Sequence, residues 1–129
     1  MHVDASVLVA ILVNEVDRDE FVEKIATADH LQTSIVSAFE AVIAVGGKLG
    51  DREASVQIVR DFLNRSRIAI PDCGDMLLEG LAAVHLAYGK GSGHPARLNM
   101  GDCFSYAMAK REGMPLLYKG NDFAQTDLG

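Results

Sequence analysis

The sequence predicts an α/β protein, a three-layer α/β/α sandwich with a short, mostly parallel central sheet. Three observations carry that prediction. Four short strand candidates, at residues 2–4, 30–33, 67–70 and 115–118, alternate with helical segments along the chain. The helical segments place apolar residues at three- and four-residue spacing, which is the mark of a face turned to a core. Acidic residues, Asp4 and Asp122, fall at or just past strand ends, the rim where open α/β sheets bind their ligands. The 129 residues are expected to form one domain, 1–129.

Composition narrows the class. The chain is 49% hydrophobic, ample for a core. It has no apolar run approaching the roughly eighteen residues that a membrane span needs. The N-terminus is apolar but is interrupted by Asp4, and it lacks a basic leader and a small-residue cleavage site, so no signal peptide is expected. Cys73 and Cys103 stand apart among apolar neighbours and read as reduced core residues of a cytoplasmic protein. The net charge of −6 argues against a nucleic-acid binder that works through a basic surface alone. It says much less against one whose carboxylates hold metal ions, because bound cations reverse the local field.

In order, the strand at 2–4 leads into a buried helix at 7–13, with Ser6 as its expected cap. A helix at 17–28 follows, where Asp17 and Glu20 have capping-box spacing and Phe21, Val22 and Ile25 form the stripe. After the strand at 30–33, Ser34 caps a helix that runs to about Leu49 and ends at Gly50. Ile35, Val36, Phe39, Val42 and Ile43 are its expected inner face. Glu40 borders that face, with only Ala44 and Gly47 above it. Gly46-Gly47 suggests a break or a close approach. A helix at 51–64 is expected to turn Val56, Val59, Phe62 and Leu63 inward, and one at 72–88 is rich in Leu and Ala. The glycine-rich stretch 89–101 reads as a flexible loop. A helix at 102–111, the last strand and a polar tail complete the chain.

Four carboxylates are oddly placed: Asp4, Glu40, Asp102 and Asp122. Taken singly, Asp4 ends a strand, Glu40 is a solvated helix residue, Asp102 is an N-cap and Asn121-Asp122 is an Asx-turn. Taken together they would repel one another on one rim unless a cation sat between them. Oxygen-rich sites of this kind suit Mg²⁺ or Mn²⁺, which lower the pKa of a bound water and stabilise charge on a phosphoryl oxygen. No GxSxG, HExxH or Walker motif competes with this reading, and the four histidines are scattered.

Four motifs together carry a family resemblance. They are the strand-borne Asp4-x-Ser6; Ser34-x-x-Ser37-x-x-Glu40; Leu98-Asn99-x-Gly101-Asp102-x-x-x-Tyr106-Ala107; and Leu117-x-x-Gly120-Asn121-Asp122-Phe123-x-x-Thr126-Asp127. The chain resembles the PIN-domain ribonucleases nearly end to end, and within them the VapC toxins of type II toxin–antitoxin pairs. The resemblance implies the PIN-like sandwich and a Mg²⁺- or Mn²⁺-dependent endoribonuclease that cuts tRNA or another structured RNA. It implies Asp4, Glu40, Asp102 and Asp122 as catalytic metal ligands, with Ser6, Asn121, Thr126 and Asp127 in support. It also implies a VapB-type antitoxin as partner and a homodimer. Two departures stand out: Ala5, where many relatives have Thr, and an end at Gly129, where relatives often continue into a further strand that would cover the sheet edge.

Lys90, Arg97 and Lys119 are the cations expected to touch RNA, the first two from the 89–101 loop and the third just before Gly-Asn-Asp. Tyr106 and Tyr118 are expected to pack rather than stack on bases. A PIN-like nuclease or binding module outside any toxin–antitoxin pair is the alternative reading. A phosphatase or receiver domain also places Asp at strand ends, but the chain lacks a DxDx[TV] start.

Overall fold

Strand β1 (His2–Val3) lies at the middle of the sheet. In the computed structural model, which describes residues 1–129, β1 pairs in parallel with β2 (Leu31–Gln32) on one side and β4 (Leu116–Leu117) on the other. Strand β3 (Ile68–Ala69) extends the sheet beyond β2, also in parallel, giving the order β3-β2-β1-β4. The chain winds outward from β1 to β3, then returns to the far side of β1 to lay down β4. The winding direction therefore reverses between β1 and β4, and at such a switch point the loops beyond the strand ends diverge and leave a crevice. Asp4 follows β1 at that point, and Asp122 follows β4.

Each strand is two residues long, shorter than predicted, because the polar residues at its ends turn to other work. Asp4 leaves the ladder to cap a helix, although its N–H still donates to Leu117 O at 2.9 Å. Thr33 donates its hydroxyl to Val3 O at 2.7 Å, which ties the two strand ends together. Val3 and Leu117, partners in register, join the large core built by α1 (Ala5–Leu12), α2 (Arg18–Ala26), α3 (Ile35–Leu49) and α4 (Arg52–Arg65). Leu116 joins a second cluster with α5 (Leu77–Tyr88) and α6 (Met100–Glu112). Both faces of the sheet are covered, as an α/β sandwich requires. No helix is long and apolar enough to cross a membrane.

The helices depart from prediction at informative places. Asp4, not Ser6, is the N-cap of α1: its carboxylate accepts the Ser6 N–H. Asp17 precedes α2 but caps nothing, because its carboxylate is drawn to Lys119 instead. Ser34 and Gly50 bound α3 as predicted, with Gly50 at φ 72°. The predicted inner face of α3 is only partly right, however: Val36 and Val42 are half-buried, Val42 against the core. Ile35, Phe39 and Ile43 are 51, 61 and 59% exposed, while Ser37, Ala38, Ala41, Val45 and Gly46 form the buried face. Closeness of packing explains this. A Cβ at Gly46 would lie 3.2 Å from Ser55 Oγ and 3.4 Å from Arg52 Cα, so the face that meets α4 must be the one with small residues. The Gly46-Gly47 pair thus marks a close approach within an unbroken helix.

In α4, Val59 and Leu63 point inward as predicted, Phe62 is half-buried and Val56 is exposed. Helix α5 starts later than predicted because Gly74 sits at φ 72° and the Arg111 guanidinium holds the carbonyls of Cys73 and Asp72 at 2.6 and 3.1 Å. Helix α6 starts earlier, at Met100, because Asn99 is its cap; Asp102 is therefore not the N-cap but closes the capping box from the third helical position. The 89–101 loop is tied down rather than loose. Gly89 and Leu98 bridge, with Leu98 N–H donating to Tyr88 O at 2.9 Å, and the His94 ring packs edge-on to Tyr88.

His2 gives the fold a specific acid sensitivity. It is fully buried, its Nδ1 faces Gln32 Nε2 at 2.9 Å, and its Nε2 has no partner. The amide nitrogen only donates, so the neutral ring carries its proton on Nε2. Burial, with the nearby N-terminal charge, lowers its pKa from 6.5 to about 4. Between those values the unfolded chain binds a proton that the fold excludes. Stability is therefore whole above about pH 6.5 and is lost as pH falls toward 4. A His2→Leu variant is expected to escape this loss. Urea unfolding should show wild type losing about 3 kcal/mol relative to the variant between pH 7 and pH 4; a pH-independent difference would contradict it.

Candidate active site

The site grows from the N-cap of α1. Asp4 is 5% exposed, and both of its carboxylate oxygens are engaged. Oδ2 accepts the Ser6 N–H at 3.0 Å and the Ser6 hydroxyl at 2.6 Å. Oδ1 accepts the Ser105 hydroxyl at 2.6 Å. Ser6 Oγ in turn accepts the Lys119 N–H at 3.0 Å, so the turn after β4 is fastened to the turn after β1 across the switch point. Gly120, at φ 95°, then reverses the chain, and Asn121 and Asp122 follow it into solvent. Ser6 thus holds Asp4 directly.

Helices α3 and α6 bring the other two carboxylates. Glu40 is exposed on α3 and reaches toward the start of α6, where Gly101 leaves room for it: a Cβ at Gly101 would collide with Glu40 Oε1. Asp102 is half-buried and accepts the Asn99 N–H at 3.0 Å, while Asn99 accepts the Asp102 N–H at 2.9 Å. The clearance above Glu40, sought in the sequence at Ala44 and Gly47, comes instead from a glycine on another helix.

The electrostatics place the four carboxyl groups in one field. Burial raises the Glu40 pKa, and the charges of Asp4 and Asp102 raise it further. Asp102 is pushed up to about 6, first by burial, against its hydrogen bond from Asn99, and then by Asp4 and Asp122; Lys90 acts in the opposite sense. The carboxyl groups are neighbours rather than a closed cage, since no three acidic, histidine or cysteine side chains converge at ion-holding distance. The donor set is nonetheless all oxygen and mutually repulsive, and Glu40 and Asp122 are exposed and free to turn. Those properties fit a hard divalent cation.

The remaining predicted residues fall elsewhere. Thr126 donates its hydroxyl to Phe123 O at 2.7 Å and accepts the Leu128 N–H, closing the 3₁₀ turn Phe123–Gln125. Asp127 binds the Lys110 ammonium and the Tyr106 hydroxyl, and these hold its pKa below the usual carboxylate range. Tyr106 is buried, and Tyr118 packs on Phe123, so both are packed as expected. Lys90 and Arg97 are exposed, Arg97 with a left-handed φ of 49°. The Lys119 ammonium lies 2.8 Å from Glu15 and 3.1 Å from Asp17. Ser105 escaped the sequence reading altogether. Its signal was position, three residues after Asp102 in a helix, on the face that Asp102 shares.

Comparison with known proteins finds a family match and full-length relatives. The PIN domain family matches residues 1–128. A VapC ribonuclease of Rhizobium meliloti is 42% identical, over 98% of this chain and 98% of its own. A ribonuclease VapC of Mycolicibacterium smegmatis is 38% identical over 99% and 97% of the two chains. The ribonuclease VapC30 of Mycobacterium tuberculosis is 37% identical over 99% and 95%.

Proposed function

The chain belongs to the PIN-domain family, and from that premise we propose that it is the endoribonuclease toxin of a type II toxin–antitoxin pair, working in the cytoplasm on tRNA or another structured RNA. The observation that carries the reading is the buried, doubly engaged Asp4 at the switch point, with Glu40 and Asp102 in its electrostatic field and Asp122 acting on Asp102. Full-length similarity to proteins named VapC ribonucleases supports the toxin assignment. It also supports a VapB-type antitoxin as partner; the homodimer rests on the family resemblance alone.

Asp4, Glu40, Asp102 and Asp122 would hold Mg²⁺ or Mn²⁺. When bound, such an ion supplies a hydroxide-like water at neutral pH and offsets charge on the phosphoryl oxygens. The chain's residues do the rest. Asp4 is held still by Ser6 and Ser105, so its orientation is set before substrate arrives. Burial and its acidic neighbours raise the Asp102 pKa to about 6, so a bound cation would favour its ionised form. Lys90 and Arg97, exposed on the loop that leads to α6, contact RNA phosphates. Lys119 serves mainly through its N–H to Ser6, since its ammonium would have to leave two carboxylates to reach RNA.

The test is cleavage of total tRNA by the purified protein with Mg²⁺ or Mn²⁺ and, separately, with EDTA. Discrete fragments that disappear in EDTA are expected. Undiminished cleavage in EDTA would refute the mechanism. Suppression of cleavage by the product of a neighbouring small open reading frame would establish the toxin role.

A further inference from the structure

Ser37 and Ser105 are both fully buried, and each stands one helical turn from a site carboxylate. Ser37 lies three residues before Glu40 on α3, and Ser105 three residues after Asp102 on α6. Their hydroxyls meet across the two helices at 3.1 Å. An ionised carboxylate only accepts, so the Ser105 proton goes to Asp4 Oδ1 at 2.6 Å. The bond between the serines must then be donated by Ser37. Ser37 is itself fixed, because its N–H donates to the N-cap hydroxyl of Ser34 at 2.9 Å. The hydrogen bonds therefore run in one direction: Ser37 to Ser105 to Asp4.

Neither serine is there for helix stability. Within a helix Ser is a poorer former than Ala, and burying a hydroxyl is costly unless it is bonded. Alanine would fill both positions with less penalty. We propose that Ser37 and Ser105 are a positioning pair for the cation centre. They fix the plane of Asp4 and, by pinning α3 to α6 where the hydroxyls meet, set the separation of Glu40 and Asp102 one turn to either side. Residues that orient ligands from behind in this way commonly change metal affinity or activity by about 10–100-fold. The inference rests on the reading of the four carboxylates as a cation centre.

The experiment titrates Mn²⁺ calorimetrically into wild type, Ser37→Ala, Ser105→Ala and the double variant, with thermal midpoints and RNA cleavage kinetics on the same samples. Ser105→Ala is expected to weaken Mn²⁺ binding about tenfold and to lower kcat with KM for RNA unchanged. Its thermal midpoint should stay within a few degrees of wild type. Ser37→Ala should show a smaller loss of the same kind, and it serves alone if the Ser105 variant does not fold. The double variant should be no worse than Ser105→Ala, because the two hydroxyls act in series. Wild-type Mn²⁺ affinity and kcat in the single variants would overturn the positioning role, even if their midpoints fell, and fully additive losses would overturn the series arrangement. A wild-type protein that neither binds Mn²⁺ nor cuts RNA would instead refute the cation centre, and the positioning role with it.

Discussion

Asp4→Asn is expected to eliminate RNA cleavage, by a hundredfold or more, while leaving the protein folded. The size follows from where the charge sits. Asp4 is the buried member of the group, and its carboxylate acts on both Glu40 and Asp102. Removing a single preorganised electrostatic group from an active site costs on the order of 10²–10³ in kcat, and here a cation ligand would be lost as well. The fold should survive because Asn caps helices as well as Asp does. The Ser6 N–H keeps an acceptor, and the Ser6 and Ser105 hydroxyls can rotate to meet an amide. Loss of a like charge also relieves the site, so Glu40 and Asp102 should titrate lower in the variant. Initial cleavage rates and a thermal melt decide the matter. Cleavage within tenfold of wild type would remove Asp4 from the chemistry, and an unfolded variant would show that its role is chiefly structural.

Gly101→Ala is expected to separate activity from stability in the opposite way to most core substitutions. Gly101 is the second residue of α6, and Ala is favoured over Gly in a helix by up to about 1 kcal/mol. The three atoms nearest the added methyl all belong to the carboxyl end of Glu40, a flexible side chain that can swing aside without moving backbone. The melting temperature should hold or rise, while cleavage falls roughly 10–100-fold as Glu40 is turned out of the site. Gly47→Ala is the control. A Cβ there meets nothing within 4 Å, so the same gain in helix propensity should come without loss of activity. Joint loss of stability and activity in Gly101→Ala would mean that the gap serves packing rather than Glu40.

The fold class was legible because its signals are local. Apolar strand candidates and helical stripes alternate, and Ser34 and Gly50 bound α3 where residue type demands. Asp4 and Asp122 could be assigned to one rim because strand ends in parallel sheets share a rim. What the sequence could not disclose depended on distant partners. The inner face of α3 was misread at Ile35, Phe39 and Ile43 because bulk apolar residues normally mark the core, whereas α4 approaches closely at Gly46 and the buried face is mostly small residues. Asp102 was misread as the cap because Asn99, three residues earlier, offers equal chemistry, and only the closed box distinguishes them. Asp17 had capping-box spacing but was claimed by Lys119 from the other end of the chain. Ser105 looked like one more small residue in an apolar helix until Asp4, 101 residues away, was placed against it.

The central claim is that these carboxylates form a divalent-cation centre for RNA cleavage. Calorimetric titration of Mn²⁺ into the intact protein at pH 7.5 and pH 5.5 tests it most directly. Asp102 titrates at about 6 because burial and its acidic neighbours oppose its charge. At pH 7.5 it is ionised and the site is ready. At pH 5.5 it is mostly protonated, and a cation must displace that proton. Saturable binding at pH 7.5, clearly weaker binding at pH 5.5 and proton release at the lower pH are the predicted results. A protein that cleaves RNA yet takes up no Mn²⁺ or Mg²⁺ at pH 7.5 would contradict the claim.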